Sequence, residues 1–424
     1  MSTATPSQAL LFILLVMTLP ARSQTKDLGG IWQFQLGDND INQRVKLTQI
    51  KDSICGKFFG IDFCGQVDKT NTVRLKVGGF NYLGKLKGDS LIEGRYTDPD
   101  GRPERWTALR EKPDRPDRAF RFAPVRYHRN YSSLEPPVLT LSTGDTVFTT
   151  TVDAGGNDHT GTEVTWGGNP LTGPFYIENA MPGDAIAVHI VSVRTDRGNA
   201  FSGRGIMDQN LTPDYMTNRK NDRIDNEWLI NPDSGYLRMK SPTNALRNYR
   251  VPLHPFLGCV GTASSAGTGA SSRNSGRFGG NMEEKMIRDG STIILPVNVQ
   301  GAYLYLGDGH AAQGDGELTG DAMETSMSVT FHVELLRYYD QDCPRVVHKD
   351  GIKSIGIAGS LDQAMRIATT DMTRWLISDY HLTDNEAAMV MGFSAEYGIP
   401  DLVGDNISVT VGIGKSALVQ LKGN

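Results

Sequence analysis

The chain has 424 residues, is 38% hydrophobic and 21% charged, and carries a formal net charge of −5. This is the composition of a globular protein rather than a disordered one, and the small acidic balance excludes a strongly basic nucleic-acid surface. The length predicts two or three domains, and 47 glycines with 20 prolines favour short strands and tight turns over long helices.

The first feature in chain order is an eleven-residue apolar run, ALLFILLVMTL, from Ala9 to Leu19. A hydrocarbon core needs about 20 such residues, so the run is too short to span one and fits the apolar region of a signal peptide. Pro20 breaks it, and Ala21-Arg22-Ser23 supplies small residues for cleavage after Ser23. Residues 1–23 are therefore expected to be a signal peptide, and the mature chain to be secreted or periplasmic, with no membrane association after cleavage. An uncleaved N-terminal anchor is the alternative, since no Lys or Arg precedes Arg22. The four cysteines are too few for a disulfide scaffold. Cys55 and Cys64 bracket GKFFGIDF, and a hairpin there would let them pair; Cys259 and Cys343 read as isolated buried thiols.

Residues 24–110 read as a small β-barrel-like domain. Val73, Leu75 and Val77 alternate with Arg74 and Lys76, the period of a half-buried strand. Roughly seven such runs between Gly-containing turns suggest a closed or nearly closed barrel, with Trp32 plugging one end. The barrel could bind a ligand or serve as an accessory domain. Residues 111–119, containing EKPDRPD, have two prolines and no apolar periodicity, and are expected to be a linker.

Residues 120–424 form a larger β-rich domain. Thr143-Gly144-Asp145, Pro182-Gly183-Asp184 and Asp289-Gly290 each precede an apolar strand pattern. Residues 262–279 (TASSAGTGASSRNSGRFG) read as a flexible loop. Two helices come late, announced by Ser360-Leu361-Asp362-Gln363 and Thr383-Asp384-Asn385-Glu386. After the first, Leu361, Ala364, Met365, Ala368, Met372, Trp375 and Leu376 keep helical spacing as a core stripe. The expected fold is mainly β, of the α+β class: a small barrel-like domain, then a β-sandwich or barrel-rich domain with a few C-terminal helices.

Polar chemistry concentrates in three places. AYLYLGDGHAAQGDGE, from Ala302 to Glu317, follows an apolar strand and carries Asp308, His310, Gln313, Asp315 and Glu317 between small residues, with Glu324 seven residues on. Asp308 and His310 are two apart, so on an extended segment they point the same way; Asp315 and Glu317 repeat that spacing. Imidazole beside carboxylates suits a divalent metal, zinc or calcium, and equally suits general acid–base work without one. The second cluster is DAGGNDH, residues 153–159, ending in His159, with Glu163 nearby. The third is Gly279-Gly280-Asn281-Met282-Glu283-Glu284, whose glycines could present backbone N–H groups to an oxyanion. No G-x-S-x-G elbow appears, and Cys259 lies in an apolar setting that predicts an inert thiol. A non-catalytic extracytoplasmic protein that binds a ligand or partner is the main alternative to an enzyme.

The three clusters, in this order, resemble the acetamidase/formamidase family. The matching stretches are PPVLTLSTGDTV (136–147), NPLTGPFYIENAMPGDAIAVHI (169–190), VPLHPFLGCVGTA (251–263), GGNMEE (279–284) and DGSTIILPVNVQGAYLYLGDGHAAQGDGELTGDAMETSMSV (289–329). The resemblance covers roughly residues 120–415 and leaves the barrel-like region unexplained. Where many relatives carry Asp after GGNM this chain has Glu283, whose longer arm moves the carboxylate and leaves a ligand role open. The resemblance implies hydrolysis of short linear amides to carboxylate and ammonia, a β-rich fold and a homo-oligomer such as a trimer; a divalent metal is compatible with it and is left open by it. From the spacing in the GDGHAAQGDGE run, Asp308, His310 and Glu324, with His159, are expected to hold a metal if one is used. His310, Asp315 and Glu317 are expected to be catalytic. Gly279, Gly280, Asn281 and Gln313 are expected to bind the substrate, a small amide. A variant reading has the enzyme acting on a larger amide, with the barrel lining the entrance.

Overall fold

The computed structural model describes residues 25–37, 41–113, 115–220, 223–265, 269–339 and 341–421. The expected signal peptide and its cleavage site lie outside them. The chain divides into two compact units between Glu111 and Lys112.

The first unit is a closed barrel of eight consecutive antiparallel strands, from Gly30–Leu36 to Pro103–Arg110, which pairs back onto the first. The alternation seen in the sequence is realised: Val73, Leu75 and Val77 face inward while Arg74 and Lys76 face solvent. Side chains fill the interior. Trp32 is fully buried and its indole donates to the Leu28 carbonyl at 2.8 Å. Phe34 stacks on Trp106 at 5.5 Å, and Tyr82 meets the same indole edge-on at 5.7 Å. Cys55 and Cys64 face each other across neighbouring strands and form a disulfide.

Described residues of the 111–119 stretch make specific contacts. Glu111 closes an ion pair with Arg44 inside the first unit. In the second, Arg115 pairs with Asp145, Arg118 donates its backbone N–H to Asp145 at 2.8 Å, and Ala119–Arg121 forms an edge strand.

The second unit is built on two sheets sharing one core. A nine-stranded sheet contains Ala185–Thr195, Ser291–Pro296 and Met327–Leu336 side by side; a six-stranded sheet centres on Leu304–His310 and Phe256–Gly261. Ile186, Val188, Ile293 and Phe331 from the first meet Phe175, Leu257, Leu304 and Leu306 from the second. The other face of the nine-stranded sheet carries the helices Leu361–Tyr380 and Asp384–Ser394, with Ala185, Ala187, Ile352 and Val411 against Ala368, Met372, Trp375 and Leu376. Strands covered on both faces read as continuous apolar runs, as AIAVHI does. Both helix starts are capped as expected, Ser360 accepting from Gln363 and Thr383 forming a full capping box with Glu386. The predicted stripe is buried except at Leu361 and Met365, which are exposed. The arrangement is the mainly β, α+β one expected.

The segment 262–279 corrects the flexible-loop expectation. Its described residues form short paired strands, Ala270–Ser271 and Ser275–Gly276, and Ser272 and Ser275 are buried. Small residues here permit close strand packing.

A nine-residue sequence separation between Cys55 and Cys64 closes a short loop in the unfolded chain. Replacing both cysteines by serine is expected to lower the stability of the barrel unit by about 2–3 kcal/mol. Urea unfolding followed by fluorescence of Trp32 and Trp106 reads this, and an unshifted midpoint contradicts it.

Candidate active site

The site grows from the end of the most buried strand. Every residue of Leu304–His310 is buried, and Asp308 and His310 emerge from it two residues apart. The adjacent strand places Gly258 directly beneath them. A Cβ there would lie 2.8 Å from Asp308 Oδ2, 2.8 Å from His310 Cε1 and 2.9 Å from Glu283 Oε1, so only glycine leaves room for the three side chains. The Gly258 carbonyl also accepts from Met282 N at 3.0 Å and Glu283 N at 3.3 Å, which fixes the turn that brings Glu283 in. Glu317 arrives from the turn Asp315–Glu317, and Glu324 by an antiparallel bridge to His310.

The backbone is unusual here. Asn169, Glu283, Asp308 and Glu317 have φ of 54°, 59°, 57° and 44°. Left-handed backbone is rare for residues other than glycine and persists only where surrounding contacts impose it, typically at functional sites.

Four carboxylates surround one imidazole. His310 Nε2 lies 3.1 Å from Glu324 Oε1 and 3.4 Å from Asp308 Oδ1; Nδ1 lies 3.3 Å from Glu283 Oε2 and 2.9 Å from Gln313 Oε1. Gln313 donates its Nε2 to the carbonyls of Pro400 (3.1 Å) and Glu283 (3.4 Å), so its Oε1 is the acceptor and His310 Nδ1 carries the proton. The lone pair of neutral His310 is thereby placed on Nε2, toward Asp308 and Glu324.

Burial dominates the electrostatics. It raises Glu283 well above the usual carboxylate range, reinforced by Glu317. It raises Glu317 likewise, with Glu324 and Asp308 adding to the effect against His310. Glu324 is pushed up to about 7 by burial, against the pull of His310 and with a further push from Asp308. Burial would lower His310, but Glu324, Glu283 and Asp308 together hold it well above its ordinary value. Asp308 resists burial and stays low because His310 and donated hydrogen bonds favour its charge. Five polar atoms of the cluster are buried without a hydrogen-bond partner: both Glu283 oxygens, Asp308 Oδ1, His310 Nε2 and Glu324 Oε2. Two ligand groups can be drawn from it, Asp308–His310–Glu324 and Glu283–His310–Glu317, each with its ligand atoms within 4.8 Å of one another. Oxygen-rich donors with one imidazole nitrogen, left unpaired in a dry site, fit a divalent cation.

The cluster opens on a cleft of about 440 Å³ lined by Asn169, Asn281, Asp308, Glu317 and Glu324. Asn281 Oδ1 accepts from Asn169 Nδ2 at 2.7 Å and from the Cys259 thiol at 3.0 Å. Two donors on one oxygen fix the amide orientation and leave Asn281 Nδ2 free to donate to a ligand. Asn169 Nδ2 also reaches Asp308 Oδ2 at 3.1 Å. The Cys259 thiol is pushed up by burial and then by Asp308 and Glu283, so it serves as a neutral donor rather than a nucleophile. One wall is pinned by the buried pair Asp153–Arg197 at 2.6 Å, whose guanidinium also donates to the Glu324 carbonyl at 3.1 Å.

The structure brings together Asp308, His310, Glu317, Glu324, Asn281 and Gln313, and leaves out four expected residues. His159 is exposed in a turn closed by Asp158 and belongs to neither ligand group. Asp315 is exposed and pairs with Lys285 at 2.6 Å, because Gly316 at φ 81° turns the chain between it and Glu317. Gly279 and Gly280 are enclosed between paired strands and do not line the cleft; the side chain of Asn281 offers the donor instead. Gln313 holds His310 rather than facing the cleft. Asn169 and the Asp153–Arg197 pair are not singled out by the sequence, and Cys259 enters as a neutral donor, in keeping with the inert thiol its apolar setting predicts. The GGNMEE cluster contains Glu283, and Asn169 opens the stretch NPLTGPF that carries the family resemblance.

Comparison with known proteins follows the same lines. Residues 266–349 match the profile of the Acetamidase/Formamidase family. The formamidase of Methylophilus methylotrophus is 26% identical over 241 residues, 47% of this chain and 56% of that protein. The chain spans about half the length of the curated relatives it matches. An acetamidase crystal structure from Yersinia enterocolitica superposes with a TM-score of 0.59 at 26% identity, covering 71% of this chain and 93% of that one. One from Bacillus halodurans gives 0.60 at 24%, covering 72% and 100%, a likeness of fold. These matches bear out the resemblance read from the sequence.

Gly258→Ala is expected to displace Asp308, His310 and Glu283 together. Zinc affinity, measured by calorimetry on the full chain, should fall at least about tenfold, while circular dichroism keeps its strand signature. Unchanged affinity would mean the cradle does not shape the cluster.

Proposed function

We propose that this chain hydrolyses the carbon–nitrogen bond of linear amides, releasing ammonia and a carboxylate. The carrying observation is the buried His310 with its four carboxylates, opening on a cleft where Asn281 holds a free amide donor. The formamidase and acetamidase relatives support the same reaction class.

An amide carbonyl is a poor electrophile, so its oxygen must be polarised as charge develops on it. Asn281 Nδ2 does this, held in register by Asn169 and Cys259. Asp308, His310 Nε2 and Glu324 are the residues that would hold a divalent cation. When bound, such an ion supplies Lewis-acid polarisation and acidifies a water. Glu317 lines the cleft and shares proton affinity with Glu283 behind it. It takes the proton as water oxygen bonds to the carbonyl carbon, and returns it to the nitrogen as the C–N bond breaks. Gln313 keeps the His310 Nδ1 proton in place throughout.

The Cys55–Cys64 disulfide supports a home in an oxidising compartment, in keeping with the expected export signal. A homo-oligomer remains part of this reading, on the family resemblance.

Glu317→Gln is expected to lower kcat/KM for acetamide by about 10²–10⁴-fold without changing the thermal midpoint; wild-type rates in that variant reject the role. Dialysis against a chelator should abolish turnover and lower the midpoint, and added zinc should restore both. If chelation changes neither and elemental analysis finds no metal, the metal half is wrong.

A further inference from the structure

The cleft is larger and more charged than formamide or acetamide requires. Its volume of about 440 Å³ lies in the range of roughly 300–1,000 Å³ that pockets use for ligands of drug size. Most charged groups facing it are already engaged. Asp153 pairs with Arg197, and Asp308, Glu317 and Glu324 belong to the buried cluster.

Two are not. Arg273 and Asp321 both line the cleft, both are exposed, and among the described residues neither side chain has an ion-pair partner. The bonds of Arg273 run through its backbone N–H, which donates to Ser271 Oγ at 3.3 Å. Those of Asp321 run through its carbonyl, which accepts from Thr319 Oγ1 at 2.7 Å and Gly203 N at 3.4 Å. The two charges are near enough to act on one another, and those of Asp308 and His310 also act on Asp321. Opposite charges are thus held open within reach of the reacting end without closing on each other.

Arg273 is fixed to the site by its hairpin. Ser275–Gly276 pairs with Gly279–Asn281, and Asn274 O accepts from Asn281 N at 3.1 Å. Asp321 lies three residues before Glu324, whose Oε1 accepts from Ala322 N at 2.8 Å. Each charge is therefore tied by a short stretch of ordered backbone to a residue that faces the substrate.

We propose that the preferred substrate is the side-chain amide of a zwitterionic α-amino acid. Its carboxylate lies on Arg273 in the bidentate manner guanidinium favours, its ammonium on Asp321, and its carboxamide beneath Asn281. This deepens the amide-hydrolase reading and rests on it. Water oxygen adds to the carboxamide carbon, the C–N bond breaks, and the products are an acidic amino acid and ammonia. A neutral amide meets neither rim charge and a singly charged one meets only one, so each forgoes the corresponding charge-assisted hydrogen bonds.

The test is kcat/KM of the full chain for glutamine and asparagine against acetamide. A dicarboxylic acid monoamide, carrying the carboxylate alone, and an amino-acid amide, carrying the ammonium alone, complete the set. The zwitterions should exceed acetamide by at least about tenfold. Arg273→Gln should lower the zwitterion-to-acetamide ratio about tenfold, chiefly through KM, and penalise the monoamide more than the amino-acid amide. Asp321→Asn should do the reverse. Parity between zwitterions and acetamide, or variants that slow every amide alike, overturns the inference while leaving the hydrolase intact. Failure to turn over any of these amides, or formamide, overturns the hydrolase reading itself.

Discussion

Everything in the second unit is arranged around one electrostatic difficulty: Asp308, Glu283, Glu317 and Glu324 are buried around a single imidazole. Like charges at these separations in a dry interior cannot all remain ionised. The protein meets the difficulty by raising proton affinity: burial pushes Glu283 and Glu317 well above the carboxylate range and Glu324 up to about 7, and against burial the surrounding carboxylates hold His310 well above its ordinary value. It does not meet it with hydrogen bonds, since both oxygens of Glu283, Oδ1 of Asp308 and Oε2 of Glu324 have none. A structural cluster would pair those atoms; a binding site leaves them available.

Holding such a cluster requires support from elsewhere. Asn169, Glu283, Asp308 and Glu317 all adopt left-handed backbone, each at a cost of order 1–3 kcal/mol. That cost is offset by the apolar core shared between the two sheets and by helices covering the far face of the larger sheet. Gly258 shows the same priority. A side chain there would fill the space the carboxylates need, and the strand forgoes it although its neighbours Leu257 and Cys259 are fully buried.

Periodicity made much of this legible in the sequence. Alternation in TVRLKV gave the barrel strand, and the spacing of Asp308 and His310 put both on one side of a strand, as found. The same rule failed one turn later. Asp315 and Glu317 are also two apart, but Gly316 reverses the chain between them and sends one out to Lys285 and the other into the cluster. His159 ends the polar cluster DAGGNDH, but its turn is closed by Asp158 and it faces solvent, while Asp153 turns inward to Arg197. The longer arm of Glu283 leaves its role open in the sequence, and a left-handed backbone turn delivers its carboxylate to His310. Backbone sign and cross-strand register are not written in residue type, and these decide which polar residues meet.

The proton on His310 Nδ1 gives the cluster two distinct sides. Gln313 can accept there only because its own N–H groups are committed to the carbonyls of Pro400 and Glu283. That commitment turns Nε2 toward Asp308 and Glu324, a carboxylate held low beside one that burial pushes up to about 7. Glu283 and Glu317, both pushed well above the carboxylate range by burial, share the other ligand group with the imidazole, and of these Glu317 lines the cleft with Asn281. Under the proposed function, holding a cation and moving a proton thus fall to different pairs of acids around one ring. Neither pair could take the other's part without Gln313 reversing its amide and losing both of its backbone acceptors.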